Sequence, residues 1–574
     1  MNITPTRYFL ATCLSATLIS SPLTGCSKKE GDSAPQQKAL AAASILEIPL
    51  LQKVPDTTAA FAVMDFAGDS YKRFITSPWG NEIKGLNALK SAVDELESSG
   101  ASEEQIKIAK TVLDSLQKLG LVSPDGKSQV EKVLTDAVGF ISIRKENNIP
   151  LDLGVFARGA SGVNLSERAD TLKKILTDAG LKVADEQFGS TKGFAAIMPV
   201  PEEEDVVISL YVVGTQDKFG MAFSKEAIQG LLADGSTKGF ANLKAIPEFA
   251  KAEESVRSSE SPLSFAFLSV KTLVTSFAPE QGESGDAFDP KDLPITSIAM
   301  SQSYSDQMVT SAGVTVTPMN DLQRSVFAAF ENSGIPANAF KLPADTAVSL
   351  SLDTRVISKL EGALKSLNDP SAAMVVEQLK NIQGITLGLR NGDRSSPVPD
   401  IYLTLDSSAR DQVASTVETG IGLGMMATGQ QLQWNSKEIS GAPTRYLMTP
   451  LGVGVYVSSP KSSNTLVVAS SERAVQDIAS SNGGGTSLDS AMPKALRNRV
   501  AASSTGSLYL NFVQLGSVVD AVKGTVASMM GPNPELDQAL DSEQLRKLGV
   551  GIGSLSYANG VFKIQSAFER GESK

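Results

Sequence analysis

Along most of the chain, short segments place an apolar side chain at every second position and then close in a turn. Successive side chains of extended backbone point to opposite faces, so this alternation buries one face and demands neighbouring strands. The sharpest case is Leu555-Ser556-Tyr557-Ala558, then Asn559-Gly560, then Val561-Phe562-Lys563-Ile564. Asn-Gly supplies the positive φ angles of a type I′ turn, so a hairpin is predicted there. Charged amphipathic stretches beginning near Leu165 and Ser407 predict helices. Strand–helix crossovers are too few for a doubly wound parallel sheet.

Several motifs occur twice. Val54-Pro55-Asp56-Thr57 precedes a strand from Ala59 to Phe66, and Leu342-Pro343-Ala344-Asp345-Thr346 precedes one from Ala347 to Leu352. Gly139-Phe140-Ile141-Ser142-Ile143-Arg144 is matched by Gly384-Ile385-Thr386-Leu387-Gly388-Leu389-Arg390. Ala222-Phe223-Ser224-Lys225-Glu226-Ala227-Ile228 parallels Ala469-Ser470-Ser471-Glu472-Arg473-Ala474-Val475, each passing from a strand into a helix with a Ser cap. The pairs lie about 245 residues apart in the middle of the chain but 289 apart at the Asp-Thr motif, which predicts an insertion of about 44 residues. The expected fold is therefore α+β: two similar halves from an internal duplication, each a large, mainly antiparallel sheet with helices packed on it. Residues 46–334 form unit 1, with a helical insertion near 79–136, and residues 335–574 form unit 2.

The N-terminus carries a different signal. Met1 to Arg7 is short with one positive charge, and Tyr8 to Ile19 is apolar but too short to span a bilayer. It ends in Leu23-Thr24-Gly25-Cys26, which resembles the lipobox of bacterial lipoproteins. The resemblance implies that Cys26 receives a diacylglyceryl group, that cleavage follows Gly25, and that Ser27 directs the product to the outer membrane, facing the periplasm. Residues 1–25 are then a signal peptide and 26–45 a flexible tether, polar with Gly31 and Pro35. Cys13 leaves with the signal and Cys26 is alkylated, so neither of the chain's two cysteines forms a disulfide. The Pro-Asp-Thr start, the strand-to-helix step and a later Ser-led apolar strand (Ser264-Phe265-Ala266-Phe267, Ser507-Leu508-Tyr509-Leu510) resemble a family of bacterial envelope proteins described as a domain of unknown function, number 3352. That resemblance implies an extracytoplasmic location and supplies no catalytic residue.

Composition excludes much chemistry. The chain has no histidine, so it has no Ser-His-Asp triad, no His-bearing zinc site and no imidazole proton shuttle. A net charge of −11 argues against nucleic acid as a partner. Gly120 to Ser128 looks like a phosphate loop, but five residues separate its glycines and Pro124 removes a donor, so a helix end and turn are expected. Ser115 and Lys118 have the Ser-x-x-Lys spacing without the elements that complete such a site. Glu202-Glu203-Glu204-Asp205 and the Asp286, Asp289, Asp292 series lack calcium-loop spacing and read as solvated loops. Gly420, Gly422 and Gly424 with Met425 and Met426 end a helix; close packing at a buried helix end is favoured there over a pliable apolar surface. Asp56 and Asp345 read as turn residues beside Thr. Trp79 and Trp434 read equally as core or as surface anchors.

The expectation is a non-enzymatic, lipid-anchored envelope protein that binds a partner or supports the envelope, with no catalytic residue, cofactor or metal site, and Cys26 as its one modified residue. The alternative is a carrier or sensor of an apolar ligand such as a lipid, held between the halves. A hydrolase working with carboxylates alone is a third reading, since acid and base can both be Asp or Glu.

Overall fold

A computed structural model describes residues 48–570 apart from 56, 81–87, 99–101, 144–150, 200–206, 236–246, 259–260, 278–292, 332, 357–379, 393–397, 428–432, 449–453, 461–462, 502 and 532–541. The chain divides into two compact units, Met1–Ser305 with Ala312–Thr315, and Asp306–Ser311 with Val316–Lys574. Cys26, the two acidic loop series and Asp56 lie outside the described residues.

The first unit contains β1 (Thr58–Asp65), β2 (Leu134–Ile143), β3 (Leu151–Gly159), β4 (Lys182–Phe188), β5 (Thr191–Pro199), β6 (Val207–Gly214), β7 (Lys218–Ala222), β8 (Ser264–Ser269) and β9 (Ile295–Tyr304), with β10 (Met308–Val316) divided between the units. Their spatial order is β4-β5-β6-β7-β3-β2-β1-β8-β9-β10, so β1 is held between β2 and β8. The second unit contains β11 (Thr346–Asp353), β12 (Ile382–Arg390), β13 (Asp400–Ser407), β14 (Asn435–Ile439), β15 (Ala442–Met448), β16 (Gly454–Ser458), β17 (Thr465–Ala469), β18 (Gly506–Asn511), β19 (Val550–Ala558) and β20 (Val561–Glu569). Their order is β14-β15-β16-β17-β13-β12-β11-β18-β19-β20.

Among the described residues these 20 strands are joined in antiparallel pairs. The expected α+β fold of two duplicated halves is corrected by this finding: the described residues form a largely sheet structure. The reason is physical. Alternation and turn residues specify faces and local hairpins, whereas the partner of an outer strand edge is a non-local choice that no short pattern records.

Helices α1 (Ala88–Ser98) and α2 (Glu103–Lys118) fall in the stretch 79–136. The others used below are α3 (Leu165–Asp178), α4 (Lys225–Leu232), α5 (Pro247–Val256), α6 (Arg410–Ala427), α7 (Glu472–Asn482) and α8 (Phe512–Met530). Four begin on side-chain caps that satisfy a free N–H of the first turn: Ser166 N donates to Asn164 Oδ1 (3.1 Å), Ala227 N to Ser224 Oγ (3.2 Å), Ala474 N to Ser471 Oγ (3.0 Å) and Gln514 N to Asn511 Oδ1 (3.1 Å).

In the first unit, Phe61 of β1 meets Phe265 and Phe267 of β8 and Phe249 of α5, with ring centroids 5.8, 5.9 and 6.0 Å away. Each such pair adds about 0.5–1.5 kcal/mol beyond the area it buries. The second unit's core sets Tyr402, Val467, Tyr509 and Ile552 of the sheet against Val475 and Ile478 of α7. The hairpin forms as predicted: Asn559 has φ 52° and Gly560 φ 79°, and the register pairs Leu555 with Ile564 and Tyr557 with Phe562.

Candidate functional site

In β11, β12, β13 and β18 the covered face mixes core aromatics, Tyr402 and Tyr509, with a band of hydroxyls. The covered face carries Ser349, Ser351, Thr386, Thr404 and Ser507, all buried. These hydroxyls are accommodated by bonding: Ser351 Oγ and Thr386 Oγ1 are 3.0 Å apart, and Thr346 Oγ1 lies 2.5 Å from the buried Tyr402 hydroxyl. Burial pushes the Tyr402 phenol well above its ordinary value.

The opposite face carries leucines. The register sets Leu350 of β11 directly opposite Leu387 of β12 on one side and Leu508 of β18 on the other. Leu350 is 51% exposed, Leu387 45% and Leu508 38%; Leu352 and Ile401, on the same face, are exposed as well. Helix α6 covers neighbouring Leu403 and Leu405 with Val413, Ala414 and Val417, and α8 packs near β11, yet neither covers the central ladder. Exposed apolar tracts of this kind are costly in water and are found most often at interaction sites. Alternation had flagged these strands, but not which face the rest of the chain would cover.

Helix α6 also corrects a sequence expectation. Gly420, Gly422 and Gly424 lie within it, but a side chain at Gly420 or Gly424 would meet nothing within 4 Å, and Leu423 and Met426 are each 58% exposed. The helix end is open, so the expected close packing is absent. Trp434 belongs to the cluster under α6, its Nε1 4.0 Å from the position a Gly422 side chain would take, and the Arg445 guanidinium lies 5.4 Å from its ring. Trp79 is buried.

Ionised groups are held mostly by guanidinium partners. Arg390, 1% exposed, donates Nε to Asp400 Oδ2 (3.1 Å) and Nη1 to Asp345 Oδ1 (3.2 Å), with Asp477 Oδ2 of α7 2.7 Å from Nη1. Its Nη2 is also 3.1 Å from Asp400 but lacks hydrogen-bond alignment. Asp345 is thus an ion-pair partner and not merely a turn residue. Arg158 Nε donates to the buried Asp136 at 2.6 Å. Asp353 accepts from Gly334 N (2.8 Å), Arg355 N (2.9 Å) and the Arg355 side chain; burial pushes its carboxyl up, but these donors outweigh burial and leave it below the ordinary value.

The remaining sequence candidates dissolve into local structure. In the loop from Gly120 to Ser128, Ser123 N donates to Lys127 O and Gly126 N to Ser123 O, so these amides close a turn. Ser115 Oγ donates to Thr111 O at 2.6 Å. An open depression of about 500 Å³ is lined by Arg410, Asp411, Gln412, Ser463 and Asn464 among others, and Arg410 Nη1 is already donated to Pro460 O and Ser463 O. Among the described residues no group of three or more Asp, Glu, Cys or His is placed to hold a metal, and no helix is long and apolar enough to cross a membrane.

No protein-family model matches the chain, and no curated protein matches it. Among solved structures, crystal forms I, III and IV of TP0453 align at 11% identity over 50%, 50% and 52% of this chain and 88% of that one, with TM-scores of 0.21, 0.22 and 0.21. Scores at this level establish neither a common fold nor a common activity.

Proposed function

We propose that the protein is a non-enzymatic bacterial lipoprotein, anchored through Cys26 to the outer membrane and facing the periplasm, whose body is a docking module for an envelope partner. The anchor is supported by Leu23-Thr24-Gly25-Cys26 after a short apolar segment. Two or three acyl chains at about 0.8 kcal/mol per buried methylene make such attachment stable. The docking role is carried by one observation, the exposed Leu350–Leu387–Leu508 ladder on one face of the sheet.

Two measurements test the two parts. Cys26→Ser should abolish fatty-acid labelling and release the protein from the membrane fraction; unchanged partitioning defeats the anchor. A photo-crosslinking residue in place of Leu350 should give a discrete protein adduct in cells, absent when the same residue replaces Gln412 on the polar part of α6. Equal or no adducts from the two sites defeat the docking role.

A further inference from the structure

We infer that the C-terminal end of α6 is a second, non-covalent membrane contact, inserting Leu423 and Met426 into the hydrocarbon edge of the bilayer that carries the anchor. The inference rests on the anchored-lipoprotein reading and concerns a surface distinct from the leucine ladder. From Gln412 to Met426, the exposed residues of this helix are Gln412, Ser415, Thr416, Thr419, Gly420, Leu423, Gly424 and Met426, none of which is charged. Its first turns are polar and its last two apolar, so the helix presents an apolar tip. Among the described residues nothing lies within 4 Å of where a side chain at Gly420 or Gly424 would begin, so the tip is not packed against.

The occupant follows from area and tether. Two large side chains fall far short of the roughly 800 Å² that a stable protein interface takes from each partner. A bilayer already linked to the chain needs far less. Cys26 is 22 peptide steps from Ile48, a fully stretched reach of about 75 Å at 3.3–3.6 Å per residue. A link of that length holds the body at an effective concentration in the millimolar range near the membrane, so a weak contact is populated without any new partner. Beside the tip, Trp434 and its stacked Arg445, the latter bonded to Glu418 at 2.5 Å, are the side-chain types that settle at headgroup depth.

Trp434 provides the readout. The lipidated full chain, with Trp79→Phe to isolate the signal, is reconstituted into phosphatidylcholine vesicles with or without bromine on the acyl chains. Brominated lipid should quench Trp434, and Leu423→Asn with Met426→Asn should remove the quenching while fatty acid stays on Cys26. The same comparison with Trp79 retained adds only the constant emission of a buried indole and guards against misfolding of Trp79→Phe. Equal Trp434 emission in both vesicle types, or quenching that survives the double substitution, overturns the inference. Quenching that is lost on the double substitution, in a chain carrying no fatty acid, supports the helix contact and overturns the anchor instead.

Discussion

Arg390 and Asp400 face each other across β12 and β13, both sealed from solvent, with Nε 3.1 Å from Oδ2. They are joined there by Asp345, ahead of β11, and by Asp477 of α7, so one guanidinium ties three strand segments to the helix on the covered face. A buried pair of this kind does little net stabilising against an apolar substitute, but loss of one member strands the other.

Arg390→Met should therefore destabilise the second unit by about 3–5 kcal/mol. Adding Asp400→Leu should recover most of the loss. Urea unfolding followed by Trp434 fluorescence in a Trp79→Phe background, which reports this unit alone, measures both; a single variant as stable as the parent would refute the arrangement.

Asp353 and Asp406 should give opposite pH dependences. The Asp353 carboxyl is held below its ordinary 3.8, so its stabilisation is present above that value and is lost as pH falls through the lower folded value. Asp406 is raised, chiefly by burial, with Asn338 and Thr465 offsetting only part of it; its contribution is present below 3.8 and is lost as pH rises through the higher folded value. Relative to the parent, Asp353→Asn should lose stability above pH 3.8 and converge with it in acid, whereas Asp406→Asn should gain as pH rises past 3.8. Urea midpoints between pH 3 and 7 measure the two slopes, and parallel curves would contradict the assignment.

Replacing Leu350, Leu387 and Leu508 together by Thr should lower binding of an apolar dye such as anilinonaphthalene sulfonate. Threonine keeps the β preference, and the side chains are already half in water, so each change should cost less than about 1 kcal/mol. A large loss of stability would mean that the ladder is covered.

Gly560→Ala should weaken the β19–β20 hairpin by about 1–2 kcal/mol. The residue sits at φ 79°, and an added Cβ would lie 3.2 Å from Val316 O, while Gly560 O accepts from Val316 N at 2.8 Å. Thermal unfolding monitored by circular dichroism would register the loss; an unchanged midpoint would exclude strain at this turn.

The sequence made the local grammar of the fold legible. Period two located β19 and β20, Asn559-Gly560 named their turn, and Ser224 and Ser471 marked helix starts, because each depends on residues within one turn of chain. Non-local choices were not legible. Nothing near β1 announces that it is paired on both sides, by β2 and by β8, and Leu350 and Ser349 alternate in the same way whichever face is covered. The open end of α6 was missed for a related reason: Gly420 and Gly424 suit close packing and empty space equally well, and only the neighbours decide.

The way the chain enters β1 has a mechanical consequence. Leu50 and Leu51 are buried just ahead of β1, and β1 is hydrogen-bonded along both flanks, to β2 and to β8. A pull transmitted along the N-terminal segment therefore loads the inside of a sheet rather than peeling a flank strand. Force applied along a strand paired on both sides acts on two ladders of hydrogen bonds in shear, so the entry of the chain into the first unit yields late under a pull from the N-terminal side.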